Sequence, residues 1–245
     1  MKLLCDMHTH TVYSHHNHGK NTIVEMAEQA RKIGLKALVI SDHGRSHPFY
    51  GIKGSDFKKM RAEIDALNAT YDDLTIYLSV ESNITGVGKI DIQEEEKEYC
   101  DFIYAGYHYG FIPASIKDTF HFALRNILAR IFPFMRKKAR AVNTQAYLDI
   151  MDNYDLKMIT HPGDKLPVDI ESIIQKAAEK DIILEINPRH HHLNAHELCI
   201  AKNYPVRFAV NSDAHSKEAL GRVEAAEAII TQAGVPLTRI VNVTE

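Results

Sequence analysis

The chain has 245 residues, of which 45% are hydrophobic and 25% charged, and a formal net charge of −3 with histidine neutral. This is the profile of a globular protein of one large domain or two small ones. It contains no long uncharged apolar run that could span a bilayer, and its overall charge gives no reason to expect nucleic acid as a partner.

In chain order, KLLCDMH (2–8) is an apolar run that predicts a first strand. TIVEMAEQARKIG (22–34) spaces its apolar residues as a helix does and ends on Gly34. KALVISDH (36–43) predicts a buried strand, and SDFKKMRAEIDALNATY a helix capped by Ser55 or Asp56. TIYLSVES (75–82) and DFIYAGYH (101–108) are the third and fourth strands. A long irregular stretch follows, then the helix NTQAYLDIMDNY and the strand LKMITHPG. DIESIIQKAAEK with DIILEINP, and VRFAVNSDAH with SKEALGRVEAAEAIITQAG, complete the pattern. About seven strands alternating with helices predict a parallel sheet covered by helices, and that number of units favours a closed α/β barrel over an open sheet.

Histidine is the anomaly of the composition, with 15 copies, five of them in DMHTHTVYSHHNHG (6–19). The predicted strands end on His8 and His10, on Asp42 and His43, on Glu81, on His108, on His161, and on Asp213 and His215. In a parallel barrel these ends open on one face, where such barrels place their active sites. Side chains two apart on a strand share a face, so His8 and His10 point together, and Asp6 has the parity of a carboxylate behind them. Taken singly, each residue reads as an ordinary polar strand end. Together, imidazoles and carboxylates without cysteine suit zinc, manganese or iron, and their number exceeds what one ion needs. Clustered metals of this kind serve phosphoester or amide hydrolysis.

The ordered motifs HTH, SDHG, VESN, GYH, THPGD and NSDAH resemble the PHP superfamily (polymerase and histidinol phosphatase), above all its free-standing bacterial phosphatases. The resemblance runs from residue 4 to about residue 233. It implies a distorted (β/α)7 barrel, one domain over 1–245, with three divalent transition metals, zinc first and manganese or iron as alternatives. It implies that His8, His10, Glu81 and Asp213 hold one metal and that Glu81 bridges to a second, completed by His108 and His161. The third would take His43, His215 and His16, the last chosen over His15 by the family's spacing, with His18 left without a role. The expected activity is hydrolysis of a small phosphate monoester by a metal-bridging hydroxide, with the catalytic roles on Glu81 and Asp213. A phosphodiesterase, a nuclease, an amidohydrolase or a non-catalytic module is the alternative on the same site.

Two segments depart from the family pattern. Residues 111–140 are a helical insertion with seven basic residues and one acid, Asp118. It predicts a helix packed on the barrel or a basic lid; a membrane-surface helix is disfavoured by Pro133, so no membrane partner is expected. EINPRHHHLN supplies Arg189 as a candidate phosphate fork, with Arg45 of DHGRSHP a weaker one. The expected partner is a small phosphorylated substrate. Cys5, Cys100 and Cys199 are odd in number and far apart, and MKLLCDMHTH lacks a signal-peptide core. Both point to a cytoplasmic setting without disulfides.

Overall fold

Seven parallel strands form one sheet in the computed structural model, which describes residues 1–190 and 192–245. They are β1 (Cys5–Thr9), β2 (Ala37–Ile40), β3 (Thr75–Gly86), β4 (Phe102–Gly106), β5 (Met158–Ile159), β6 (Ile183–Ile186) and β7 (Phe208–Val210), and each pairs with the next in chain order. The sheet curls until its edges meet: Thr9 bridges Ala214 in parallel, and the His10 amide donates to the Ala214 carbonyl at 2.8 Å. The result is a nearly closed, distorted barrel. Its joint is weaker than its walls, because β1 and β7 touch through loop residues more than through a ladder.

The helices form where caps and periodicity agree. In α1 (Ile23–Lys32), Thr22 and Glu25 make a reciprocal capping box, and Ile23, Met26, Ala27 and Ala30 form the buried stripe. Helix α2 (Gly54–Asn68) starts two or three residues earlier than Ser55 or Asp56 capping predicts: Lys53 is the N-cap, and Asp56 accepts from its amide. Residues 111–140 contribute a π-helical turn (Thr119–Ala123), α3 (Leu124–Ile131), a turn at Pro133–Met135 and the start of α4 (Arg136–Asn153). The expected helix at 143 is therefore the second half of a longer one. Helices α5 (Ile170–Lys180), α6 (Ala195–Ala201) and α7 (Glu224–Ala233) complete the outer layer. The last of these is shorter than the pattern from Ser216 suggests, because residues 216–223 fold as turns.

The barrel interior has two storeys. At the bottom, Met7, Val39, Tyr104, Met158, Ile183 and Ala209 form an apolar plug. Higher along the same strands the interior turns polar, with Ser41, Glu81, Thr160, Glu185 and Asn211 all fully buried. The larger core lies outside, between strands and helices, and includes Leu38, Ile40, Leu184 and Ile186. Buried polar groups on this scale are tolerated only when partnered.

Candidate metal centre

Strand β1 does not keep a simple alternation. Asp6 is in register with Leu38, but Thr9 with Ile40, so β1 carries one extra residue between them. Such a bulge re-aims side chains. Below it Asp6 shares the outward side of Leu38 and accepts from the Ser212 amide and hydroxyl and from the Gly221 amide. Above it His8 and His10 turn inward, their Nε2 atoms 3.0 Å apart. The parity argument that put Asp6 behind the imidazoles is thus corrected. Glu185 of β6 is the carboxylate that orients His8, with Oε1 at 2.7 Å from Nδ1. Its place in DIILEINP, an acid within an apolar strand, is the sequence signal for this role.

Glu81 sits at the centre, fully buried on β3. Its Oε1 lies 2.8 Å from His161 Nε2 and 3.4 Å from His108 Nε2. Its Oε2 lies 3.0 Å from His43 Nδ1, 3.3 Å from His8 Nε2 and 3.7 Å from His10 Nε2. One carboxylate therefore faces two sets of imidazoles with separate oxygens. Gly106 of β4 makes room for this: a Cβ there would stand 2.2 Å from Thr160 Oγ1, which donates to Glu81 Oε1 at 2.7 Å. Asp213, at positive φ after β7, turns Oδ1 to within 3.2 Å of His10 Nε2.

His16 is not part of this cluster. It is exposed, and both it and Asn17 take positive φ, so the loop reverses there and carries His16 into solvent. The chain returns one residue later. His18 Nε2 lies 3.0 Å from both His43 Nε2 and His215 Nε2, in the place expected of His16. Two features pin the return. Asp42 accepts from the Thr11 and Ser14 amides, and Gly19 packs so closely on Thr11 that a Cβ would meet its carbonyl at 1.9 Å. His15 lies away from the cluster, 3.2 Å from Asp56.

Three groups of side chains each bring one ligand atom per residue within 4.8 Å of one another: His10, His43 and His215; His8, His10 and Asp213; His43, Glu81 and His108. Eight of the nine predicted ligands therefore converge, with His161 joining through Glu81 and only His16 outside. Imidazole nitrogens facing each other at 3.0 Å, and a Glu81 Oε2 with no hydrogen-bond donor, are what a set of divalent ions would satisfy. The donors are nitrogen and oxygen only, as zinc, manganese or iron accept.

The protonation states of His10, His18 and His215 fit the same role, whereas, against the effect of burial, Glu185 and Glu81 raise His8 well above the usual imidazole value. Burial lowers the His10 pKa well below the usual imidazole value, helped by His215 and His43. Burial likewise lowers His215 to about 4 and, with His43, His18 to about 3. These rings are neutral at pH 7, which is the form that binds metal. Burial alone would raise the Glu81 carboxyl, but His108, His8 and the hydrogen bond from His161 hold it well below its ordinary value.

The centre opens through a cavity of about 200 Å³ lined by His18, Tyr50, His108, Lys165, Arg189 and His190 among others. Arg189 reaches this mouth as expected, and its Nη1 donates to the Asp213 carbonyl at 2.7 Å. Arg45 does not: it pairs with Glu96 at 2.9 Å and lines a separate cleft with His15 and His16. Lys165, His190 and Tyr50 were missed. His190 bridges Asp164 at 2.9 Å and Asp213 at 3.3 Å, and against the effect of burial those carboxylates raise its pKa to about 9. Tyr50 stacks on His18 at 4.0 Å. His191, one of the three histidines after Arg189, lies outside the described residues. No residue of 111–140 lines the mouth among the described residues, so the insertion flanks the opening and does not cover it.

Comparison with known proteins agrees with this architecture. The chain is 27% identical over 256 aligned positions to a probable phosphatase of Clostridium acetobutylicum, covering 100% of this chain and 92% of that one. It is 30% identical to a probable phosphatase of an Enterobacter species, covering 98% and 89%. Its fold matches a histidinol phosphate phosphatase of Lactococcus lactis, solved with zinc, L-histidinol and phosphate, at a TM-score of 0.63 and 16% identity, covering 94% and 93% of the two chains. The PHP domain model matches residues 6–189, well over half of the length, and the chain belongs to the PHP domain family.

Proposed function

We propose that the protein is a metal-dependent phosphoesterase that hydrolyses small phosphate monoesters, with ions held by His8, His10, Glu81 and Asp213, by Glu81, His108 and His161, and by His18, His43 and His215. The observation that carries this reading is the division of Glu81 between two imidazole sets, directly beneath a mouth whose rim carries Lys165 and Arg189. Divalent ions so held supply an acidified water and neutralise charge on the phosphoryl oxygens.

The remaining work falls to the chain itself. Glu81 would share its two oxygens between the ions held by the two imidazole sets, and Glu185 fixes the His8 ring so that Nε2 faces inward. Lys165 and Arg189 draw and orient the phosphate, the arginine also tying the Asp213 loop in place. Tyr50 stacks against His18 and forms one wall of the mouth. A mouth of about 200 Å³ admits a phosphoryl group with a modest substituent and supports a small substrate over a polymer. The names of the relatives, probable phosphatases, and the phosphate bound by the Lactococcus protein point the same way.

The test is a panel of monoesters, diesters and amides assayed with protein reconstituted with zinc, manganese or iron. Turnover of monoesters at least about tenfold faster than of diesters is expected, and its loss in Glu81→Gln would tie it to this centre. Faster cleavage of diesters or amides would replace the monoester reading with a phosphodiesterase or amidohydrolase on the same ligands.

A further inference from the structure

The insertion exposes what the rest of the surface hides. Its helical run is apolar on two sides. One side, with Phe122, Asn126 and Ala129, is buried against the protein, and the Asn126 amide exchanges hydrogen bonds with Asn143 of α4. The other side carries Ile116, Phe120, Leu124, Ile127 and Ile131 at helical spacing, all exposed, and Phe134 lies just beyond. The spacing of four between the first three is kept in line by the π-helical turn at Thr119–Ala123, which has more residues per turn than an α-helix. Ile116 is 80% exposed and Phe134 81%. A contiguous apolar stripe on a surface marks a binding face.

Charge narrows the occupant. Lys117, Arg125, Arg136, Lys137 and Lys138 accompany the stripe, and the one acid of the segment, Asp118, is buried and paired with Lys89 at 2.7 Å. A second copy seated face to face would set these cations against their own images. A second copy seated head to tail would need an apolar counterpart. The other exposed large apolar residues among the described ones, Val12, Val24, Ile33, Phe49 and Val241, sit singly, with Val24 and Ile33 at opposite ends of α1. An anionic lipid surface satisfies both demands, taking the apolar side chains into its acyl boundary and the cations at its headgroups.

We infer that residues 112–138 dock the protein on anionic membranes as a peripheral element. Pro133 does not prevent this, since the turn at Pro133–Met135 holds Phe134 at the tip beside the cations. This revises the expectation of no membrane partner, and it stands apart from the hydrolytic reading. The docking face adjoins the mouth, because Arg130 and Arg136 line a groove of about 450 Å³ that shares Lys165 with it.

The chain has no tryptophan, so Phe134→Trp places a single reporter at the tip. With the metal-loaded full chain, indole emission should shift to the blue on adding vesicles of phosphatidylcholine with about a third phosphatidylglycerol, and stay unchanged with phosphatidylcholine alone. In co-sedimentation, wild-type protein should pellet with the anionic vesicles only. Ile131→Glu with Phe134→Glu should lower the bound fraction at least about tenfold, with circular dichroism and turnover of a soluble ester unchanged. Three results would each overturn the inference: no emission shift and no pelleting with anionic vesicles, full binding by the double variant, or a wild-type oligomer that the double variant dissolves to monomer without any vesicle binding.

Discussion

The metal centre and the insertion break the same rule in opposite directions. At and beneath the mouth, His8, His10, Glu81 and Asp213 are almost wholly buried although they are polar or charged. Along residues 112–134, isoleucines and phenylalanines are exposed although they are apolar. Each arrangement is costly by itself, and each would be relieved by something that is not polypeptide: under the two proposals above, ions for converging lone pairs and a lipid surface for a bare apolar stripe. The difference lies in support. The centre is built from the ends of six barrel strands and backed by Glu185, Asn187 and Asn211, which hold its side chains from behind. The insertion rests on one side only.

The sharpest way to break the comparison is at its centre. Glu81→Gln removes the charge and half of the acceptor capacity from the residue that faces both imidazole sets. Turnover should fall at least about a hundredfold, equivalent to about 3 kcal/mol of barrier, while the circular dichroism spectrum remains native. Normal kcat with full metal content would show that this is not the hydrolytic centre.

A second pair of variants asks whether the loop reversal is real. His18→Ala should lose about one metal equivalent by elemental analysis and roughly tenfold in kcat, because its ring completes the set with His43 and His215. His16→Ala, at an exposed position, should match wild type in both. The reverse pattern would restore the assignment made from family spacing.

The third expectation concerns metal-free protein. His18 and His215 have folded pKa values near 3 and 4, against about 6.5 for a free imidazole. Below pH 6.5 the unfolded chain takes up protons that the folded chain refuses, so stability falls as pH drops from about 6.5 toward 4. Glu81 and Asp213, both held low, add to the loss at the acid end of that window. His190, raised to about 9, is charged in both states there and adds no slope. The thermal midpoint should therefore decline from pH 7 to pH 5, and equally so in the Ile131→Glu, Phe134→Glu variant. A flat profile would mean that the imidazoles are not held neutral.

The smallest effect belongs to the insertion's charge. Reversing Arg136, Lys137 and Lys138 to glutamate should lower kcat/KM for anionic substrates by roughly threefold at low ionic strength and by nothing at high salt, where screening removes steering between exposed charges. A loss that persists in salt would place these side chains in contact with substrate.

Much of this protein is determined by sequence alone. The alternation of strands and helices and the gathering of imidazoles and carboxylates at six strand ends follow from periodicity, and the motifs HTH to NSDAH lead to the PHP family, whose pattern implies the bridging place of Glu81, before any coordinates are considered. Periodicity works here because the strands are largely buried on both faces, so their apolar runs stop where the polar storey begins. Tertiary structure decided the rest. The bulge in β1 sent Asp6 outward and made Glu185 the partner of His8, which no count of alternate residues could show, because a bulge is defined by the neighbouring strand. Two left-handed residues put His18 rather than His16 beside His43, since a loop's path depends on what it packs against, here Asp42 and Thr11. The insertion reads as amphipathic in sequence, but which of its faces is bare depends on where the barrel and α4 already fill the space beside it.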